Sequence, residues 1–131
     1  MDFVDDNYCF CCGKLNPIGM KLDFHYSNEQ LSAEVAFPRE FQGFAGIVHG
    51  GMVAAVLDEV MVWLLMKKGI KAVTGQMDVK FRKPVFINEN LKFTAELKGR
   101  ADSRAIKVAA RAERDDGTVV ADSNGTFIKV G

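Results

Sequence analysis

The sequence predicts an α+β domain, a curved antiparallel sheet of five to six strands wrapped around one long buried helix. Three observations carry that expectation. A single stretch has the length and residue types of a long helix, and it is apolar around its whole circumference, so something must enclose it. The other patterned segments alternate as strands do. No further helix is available to make the crossovers that parallel strands require, so the sheet should be antiparallel.

Residues 1–19 read as an irregular segment with a cysteine-rich turn, because the run from Cys12 to Gly19 is dense in turn formers. Two short strands follow at Lys21–Tyr26 and Leu31–Phe37, the second alternating Leu31, Ala33, Val35 and Phe37 against Ser32, Glu34 and Ala36. Pro38 to Gly50 contains three glycines and should be a loop with one helical turn. From Gly51 to Lys68, Met, Leu, Ala and Trp dominate and there is no proline. Lys67-Lys68-Gly69 then supplies a basic last turn and a stop. Strands are expected at Ala72–Phe81, Leu91–Leu97, Ala105–Glu113 and Val119–Val130, with Asp115-Asp116-Gly117 as a hairpin turn.

Composition bounds the rest. A chain of 131 residues, 48% apolar, is one domain (residues 1–131) with enough apolar matter for a core. Its 17 basic and 17 acidic residues cancel, which argues against a protein built to hold nucleic acid. Met52–Met66 is the most apolar run, yet it is too short to span a bilayer and carries Asp58 and Glu59 at its centre, so no membrane role is expected. The acidic opening does not resemble a secretion signal. Cys9, Cys11 and Cys12 are too crowded for a disulfide framework and fit a reducing cytoplasm. Cys9-x-x-Cys12 lacks the second pair of a zinc ribbon. Only Cys11 and His25 stand out as additional ligands, so a packed, reduced turn and no metal are expected.

The segment richest in chemistry is Ile47-Val48-His49-Gly50-Gly51, followed by Asp58 and Glu59. Two glycines opening a helix leave free backbone N–H groups that can hold an anion or a developing oxyanion. Asp58 lies two turns further on in an apolar helix, where a carboxylate is costly unless paired or used. Adjacent helical residues diverge by about 100°, so one of the two acids can face the interior and the other solvent.

The stretch Phe41-Gln-Gly-Phe-Ala-Gly-Ile-Val-His-Gly-Gly-Met-Val-Ala-Ala-Val-Leu-Asp-Glu59 resembles the signature of hotdog-fold thioesterases of the PaaI-like group: His-Gly-Gly, six mostly apolar residues, then a catalytic Asp or Glu. Cys9-Phe-Cys-Cys-Gly-Lys-Leu-Asn-Pro-Ile-Gly-Met-Lys-Leu22 resembles the start of one branch of it. The similarity runs from about Cys9 to Val130. It implies a hotdog fold and hydrolysis of a small or medium acyl- or aryl-CoA at a site built between two subunits, in a homodimer or a dimer of dimers. It implies no cofactor, coenzyme A being part of the substrate.

Carried over residue by residue, Asp58 is the general base or the nucleophile. Gly50 offers its N–H to the thioester oxygen, Gly51 supports the turn, and His49 orients the carbonyl or the helix start. Glu59 is left as the structural acid of the pair. Two positions depart from the pattern. Relatives place Asn or Gln six positions before the His, where this chain has Gly43, with Gln42 one residue early. Some relatives carry Ser or Thr before the proline that ends the next strand, where this chain has Lys83. Arg82, Lys83, Arg100 and Arg104 are the candidate contacts to CoA phosphates, and Phe44 is a candidate for the substrate pocket. The rivals are a hotdog that binds acyl-CoA without turning it over and a hotdog hydratase. The hydratase's Asp-x4-His is missing, since Met20 and Phe44 stand five positions before the two histidines.

Overall fold

Gly50–Lys67 forms α1, an 18-residue helix. Its buried residues Val53, Val56, Leu57, Val60, Met61, Leu64 and Leu65 recur at the three- and four-residue spacing of one helical face. That face lies across a single six-stranded sheet. The computed structural model describes residues 3–130. The strands are β1 (His25–Ser27), β2 (Gln30–Val35), β3 (Ala72–Phe81), β4 (Leu91–Lys98), β5 (Ala105–Arg114) and β6 (Val119–Lys129). They run in the order β1-β2-β4-β5-β6-β3, and every neighbouring pair is antiparallel. A sheet curled over one helix is the expected architecture.

The register puts the expected alternation to use. Leu31 pairs with Ala95, Ala33 with Phe93, Val35 with Leu91, and Phe93 in turn with Ala112. All of these apolar side chains are buried beneath α1. Many residues on this face are small, so the helix can approach closely. At Gly125 a Cβ would stand 3.2 Å from Met61 Cε and 2.7 Å from the Phe127 ring, so only glycine lets both side chains occupy that floor.

Two sequence expectations shift. The first strand covers His25–Ser27 and not Lys21–Tyr26. Leu22 donates its N–H to the Cys11 carbonyl at 2.9 Å and Lys21 has a φ of 51°, so residues 20–22 pair with the N-terminal turn instead of the sheet. Asn28 and Glu29, at φ of 52° and 63°, then make the two-residue hairpin turn into β2. Pro38 is preceded by a strand that stops at Val35, and Arg39–Phe41 is the single helical turn of the loop.

The second shift concerns burial of α1. The sheet covers one face fully. On the other, Ala54, Ala55, Asp58, Glu59, Val62 and Trp63 are only half-buried. Residues 9–24 cover part of it: the Cys11 thiol meets the Ala55 carbonyl at 3.9 Å, and the Phe24 ring stacks on Trp63 with centroids 5.6 Å apart. This segment forms neither helix nor strand, yet it is tied down by backbone bonds such as Gly13 to Cys9 at 2.8 Å and Met20 to Phe10 at 2.9 Å. The row containing Asp58, Val62 and Met66 stays half-open beside β3, whose outer edge pairs with no other described strand. No helix among the described residues is long and apolar enough to cross a membrane.

Leu57, fully buried between helix and sheet, anchors this packing. Leu57→Ala should lower unfolding stability by about 2–5 kcal/mol, the range for leucine truncation in a close-packed core. Chemical denaturation followed by circular dichroism measures it.

Candidate active site

The chain enters α1 through a loop folded back on itself. Gln42 and Val48 form an isolated antiparallel bridge, Val48 donates to the Val85 carbonyl at 2.8 Å, and His49 donates to the Phe41 carbonyl at 2.9 Å. Gly46 takes the left-handed turn at a φ of 78°, and its N–H is accepted by Gln42 Oε1 at 3.1 Å. The Gln42 side-chain oxygen therefore holds the loop. Phe44 stands at the loop's tip, 86% exposed, and does not line the cleft at the helix start.

His49 is the N-cap of α1. Its Nδ1 accepts the Gly51 N–H at 2.9 Å, so the neutral ring carries its proton on Nε2. A Cβ on Gly51 would lie 3.0 Å from that Nδ1, which explains the glycine there. The two glycines thus differ in kind. Gly51 spends its N–H on the cap, whereas the N–H of Gly50 has no acceptor among the described residues. It opens, at the positive end of the helix, on a cleft of about 290 Å³ lined by Val53, Phe81, Arg82 and Lys83. Arg82 is ion-paired with Asp122, which stands on β6.

Arg100 and Arg104 are elsewhere. The turn that joins β4 to β5 sits beside Ile128 and Lys129, next to the first residues of β3, while Arg82 and Lys83 follow its last. Arg100 pairs there with Asp102 at 3.1 Å. Within one chain the four cations do not converge.

Asp58 is half-buried on the open row of α1, and its Oδ1 accepts a hydrogen bond from Thr74 Oγ1 at 2.7 Å. Thr74 was not among the sequence candidates, and a bulge explains why. Met77 and Val79 of β3 pair with Gly125 and Ser123, on the face toward α1; strict alternation would then point Val73 and Gly75 inward. Gly75, however, has no partner: the register passes from Thr74↔Phe127 to Gln76↔Thr126. The extra residue turns Thr74 toward the helix. A lone glycine inside a strand pattern was the available signal.

Glu59 points to the other side. It accepts the Trp63 indole N–H at 2.8 Å and lies 3.5 Å from the Cys9 thiol. Burial, with Glu59 alongside, pushes the Cys11 thiol up to about 12 and raises the Cys12 thiol as well. Neither is a nucleophile at neutral pH.

A family model for a MaoC like domain matches residues 24–118. The fold is shared with a solved thioesterase superfamily protein at a TM-score of 0.87 and 26% identity, over 93% of this chain; the chain spans 63% of that protein. A Streptococcus mutans UA159 protein bound to acetyl CoA matches with a TM-score of 0.78 and 16% identity, over 84% of this chain and 89% of the other. The Escherichia coli PaaI protein, from the phenylacetic acid degradation operon, matches at 0.78 and 16%, over 86% and 81%. No curated protein matches the chain in sequence.

The contrast between the glycines is testable without activity. A Cβ on Gly50 would meet only the Phe81 ring at 3.5 Å, ordinary contact. Gly50→Ala should leave stability unchanged or raise it by up to about 1 kcal/mol through helix propensity. Gly51→Ala should instead displace the capping ring and cost about 1 kcal/mol. Thermal unfolding of the two variants, side by side, gives the order.

Proposed function

Because this chain belongs to the MaoC-like domain family, the hotdog frame is its working architecture, and we propose that on it the chain hydrolyses an acyl-CoA thioester. One geometric observation carries the reading. The free Gly50 N–H and Asp58, the acid bonded to Thr74, lie on the same helix, eight residues apart, which at 1.5 Å per residue is about 12 Å. A carbonyl held by the first within about 3 Å cannot be attacked by a water held on the second. The two halves serve one thioester only if they come from different subunits.

The surface of the chain supports that assembly. β3 is ten residues long and leaves one edge unpaired among the described residues, a feature that proteins seldom leave bare. Beside it Val62, Met66 and Val73 join Phe3 and Val4 around an apolar hollow of about 520 Å³. A second copy laid antiparallel along this edge would cover the half-open row of α1 and carry each Asp58 toward the other copy's helix start. A dimer is the minimal unit; a dimer of dimers would leave each site unchanged.

In the reaction, the thioester oxygen accepts the Gly50 N–H, strengthened by the helix N-terminus. Asp58 from the partner subunit takes a proton from water as the water oxygen attacks the carbonyl carbon. The negative charge that gathers on the carbonyl oxygen is stabilised by the N–H. The C–S bond then breaks and the proton held by Asp58 passes to the departing sulfur, releasing the carboxylic acid and the CoA thiol and restoring the carboxylate. Thr74 keeps one carboxylate oxygen of Asp58 fixed, leaving the other for the water. In the alternative, Asp58 attacks the carbonyl itself, the C–S bond breaks to expel the CoA thiolate, and water then cleaves the resulting anhydride, its protons going to the thiolate and the product acid. His49 holds the turn that presents Gly50, and Arg82 and Lys83 flank the cleft where CoA phosphates would arrive.

The hydratase reading fares worse on the same geometry. The chain has only two histidines. His49 caps the helix about 13 Å along its axis from Asp58, and His25 stands on β1 at the far edge of the sheet. The acyl-CoA character of the ligand is supported by the Streptococcus mutans neighbour, solved with acetyl CoA. The free thiols of Cys9, Cys11 and Cys12 suit a reducing compartment, and the cytoplasm is the setting we propose.

Thiol release from a panel of acyl-CoAs tests the activity directly. Asp58→Asn should remove most of it while the circular dichroism spectrum is kept; near-parent kcat/KM would refute the assignment. A folded protein that binds acyl-CoA but releases no thiol from any member would be the non-catalytic binder.

The shared site has its own test. Gly50→Val and Asp58→Asn should each be nearly inactive, the first by about 10²–10³ in rate. Unfolded together and refolded in equal amounts, they should regain about a quarter of the parent's activity, since half the dimers are mixed and each mixed dimer has one intact site. A stable 14.5 kDa monomer in sedimentation that still hydrolyses the thioester would overturn the arrangement.

A further inference from the structure

The side of α1 opposite the sheet holds a second cluster, and it plays no part in the thioester chemistry. Cys9, Cys12 and Glu59 converge there, their ligand atoms all within 4.8 Å of one another. Two of them already stand at the separation a metal would impose. Sulfur at about 2.3 Å and oxygen at about 2.1 Å on one tetrahedral zinc lie about 3.6 Å apart. Cys9 Sγ and Glu59 Oε1 are 3.5 Å apart. We propose that Cys9, Cys12 and Glu59 bind one zinc ion, which clamps the N-terminal segment onto α1.

The two thiols sit on a built turn. Gly13 follows Cys12 directly and donates its N–H to the Cys9 carbonyl at 2.8 Å. A Cβ at Gly13 would lie 2.3 Å from the Cys9 nitrogen, so the chain closes too tightly there for any side chain. Leu15 donates back to the Asn7 carbonyl at 3.0 Å, and Asn16 Nδ2 to the Tyr8 carbonyl at 3.1 Å. The turn therefore presents both sulfurs from a fixed backbone, as a ligand pair with two residues between them must.

Glu59 is likewise aimed. The Trp63 indole N–H holds Oε1 at 2.8 Å, and Phe24 stacked on the indole holds Trp63. A hydrogen-bond donor that orients a ligating carboxylate is the usual support of a metal site. No lysine, arginine or histidine lies within ion-pair distance of Glu59 among the described residues. A half-buried carboxylate facing two thiols without a cation is a costly arrangement, and a divalent ion resolves it. Two sulfurs and one oxygen select a borderline-soft metal such as zinc over magnesium or calcium. On binding, the two thiols release their protons to solvent. A hollow beside the cluster, lined also by Asp5, Asp6 and Tyr8, leaves room for water or a carboxylate as the fourth ligand. Cys11 takes no part, because its sulfur is buried and meets the Ala55 carbonyl.

Zinc analysis of the full chain, purified under reducing conditions, should give one ion per chain. After removal of the metal with a chelator, cobalt(II) should produce thiolate charge-transfer absorption in the near ultraviolet. Zinc added to the stripped protein should raise its Tm. Cys9→Ser and Cys12→Ser should each abolish the absorption, and Cys11→Ser should keep it at parent strength. Trp63→Phe should weaken cobalt affinity by about 10–100-fold, as loss of a ligand's supporting bond does. Glu59→Gln should weaken it at least as much, and it keeps the measurement decisive if a cysteine variant does not fold. Absence of the charge-transfer absorption in the parent protein with cobalt in excess would overturn the proposal. So would parent-like cobalt binding by the Cys9→Ser, Cys12→Ser double variant.

Discussion

α1 can lie flat on the sheet because many of the residues beneath it are small. Ala33, Ala95, Ala110, Ala112, Ala121 and Gly125 are buried on or paired across the inner face. Larger side chains there would hold the helix off and leave voids, which close-packed interiors do not tolerate. That approach fixes the height and direction of the helix, and with them the geometry of the proposed site. The first turn is brought against Phe81 and the cleft, and Asp58 is brought within 2.7 Å of Thr74. Were the helix a few ångströms higher, neither would meet its neighbour.

The same helix serves three surfaces with three different chemistries. Its inner stripe is wholly apolar and supplies stability. Its start combines a histidine cap, a glycine whose Cβ would press on the capping ring and a glycine with an N–H that meets no acceptor among the described residues, so the dipole and one donor are offered to a ligand. Its outer face carries two neighbouring acids that point apart, Asp58 toward the open edge at β3 and Glu59 toward the cysteine turn. The roughly 100° between successive helical residues does this sorting. Two adjacent carboxylates are thereby given unrelated surroundings.

The N-terminal segment completes the molecule without adding regular structure. It replaces sheet pairing with backbone bonds between turns, and it places Cys11 and Phe24 on the helix's outer face. What it leaves bare is the row beside β3. An edge of ten residues next to an apolar hollow is the seat we propose for a second copy, and the 12 Å gap between the two halves of the proposed site calls for the same partner. Both considerations converge on one surface.

Much of this was legible in the sequence because it depends on local chemistry. The helix announced itself by residue type and its basic, glycine-ended stop, the strands from β2 onward by alternation, and the helix-start site by His49-Gly50-Gly51. The spacing to Asp58 was local too. Other features depended on contacts between distant residues. That Gly50 keeps its N–H while Gly51 spends its own follows from where the His49 ring turns. Thr74 reaches Asp58 only because a bulge at Gly75 reverses the alternation of β3, and a bulge is settled by register with β6. The first strand was misplaced because Leu22 had a better partner in Cys11 than in the sheet. Cys9-x-x-Cys12 reads as an incomplete ligand set in the sequence because Glu59, the third member of the set we propose, lies 50 residues from Cys9 along the chain. Sequence determined which residues could do chemistry; only the packing of helix, sheet and turn decided which of them meet, because hydrogen bonds and ligand distances are set across elements that share no local pattern.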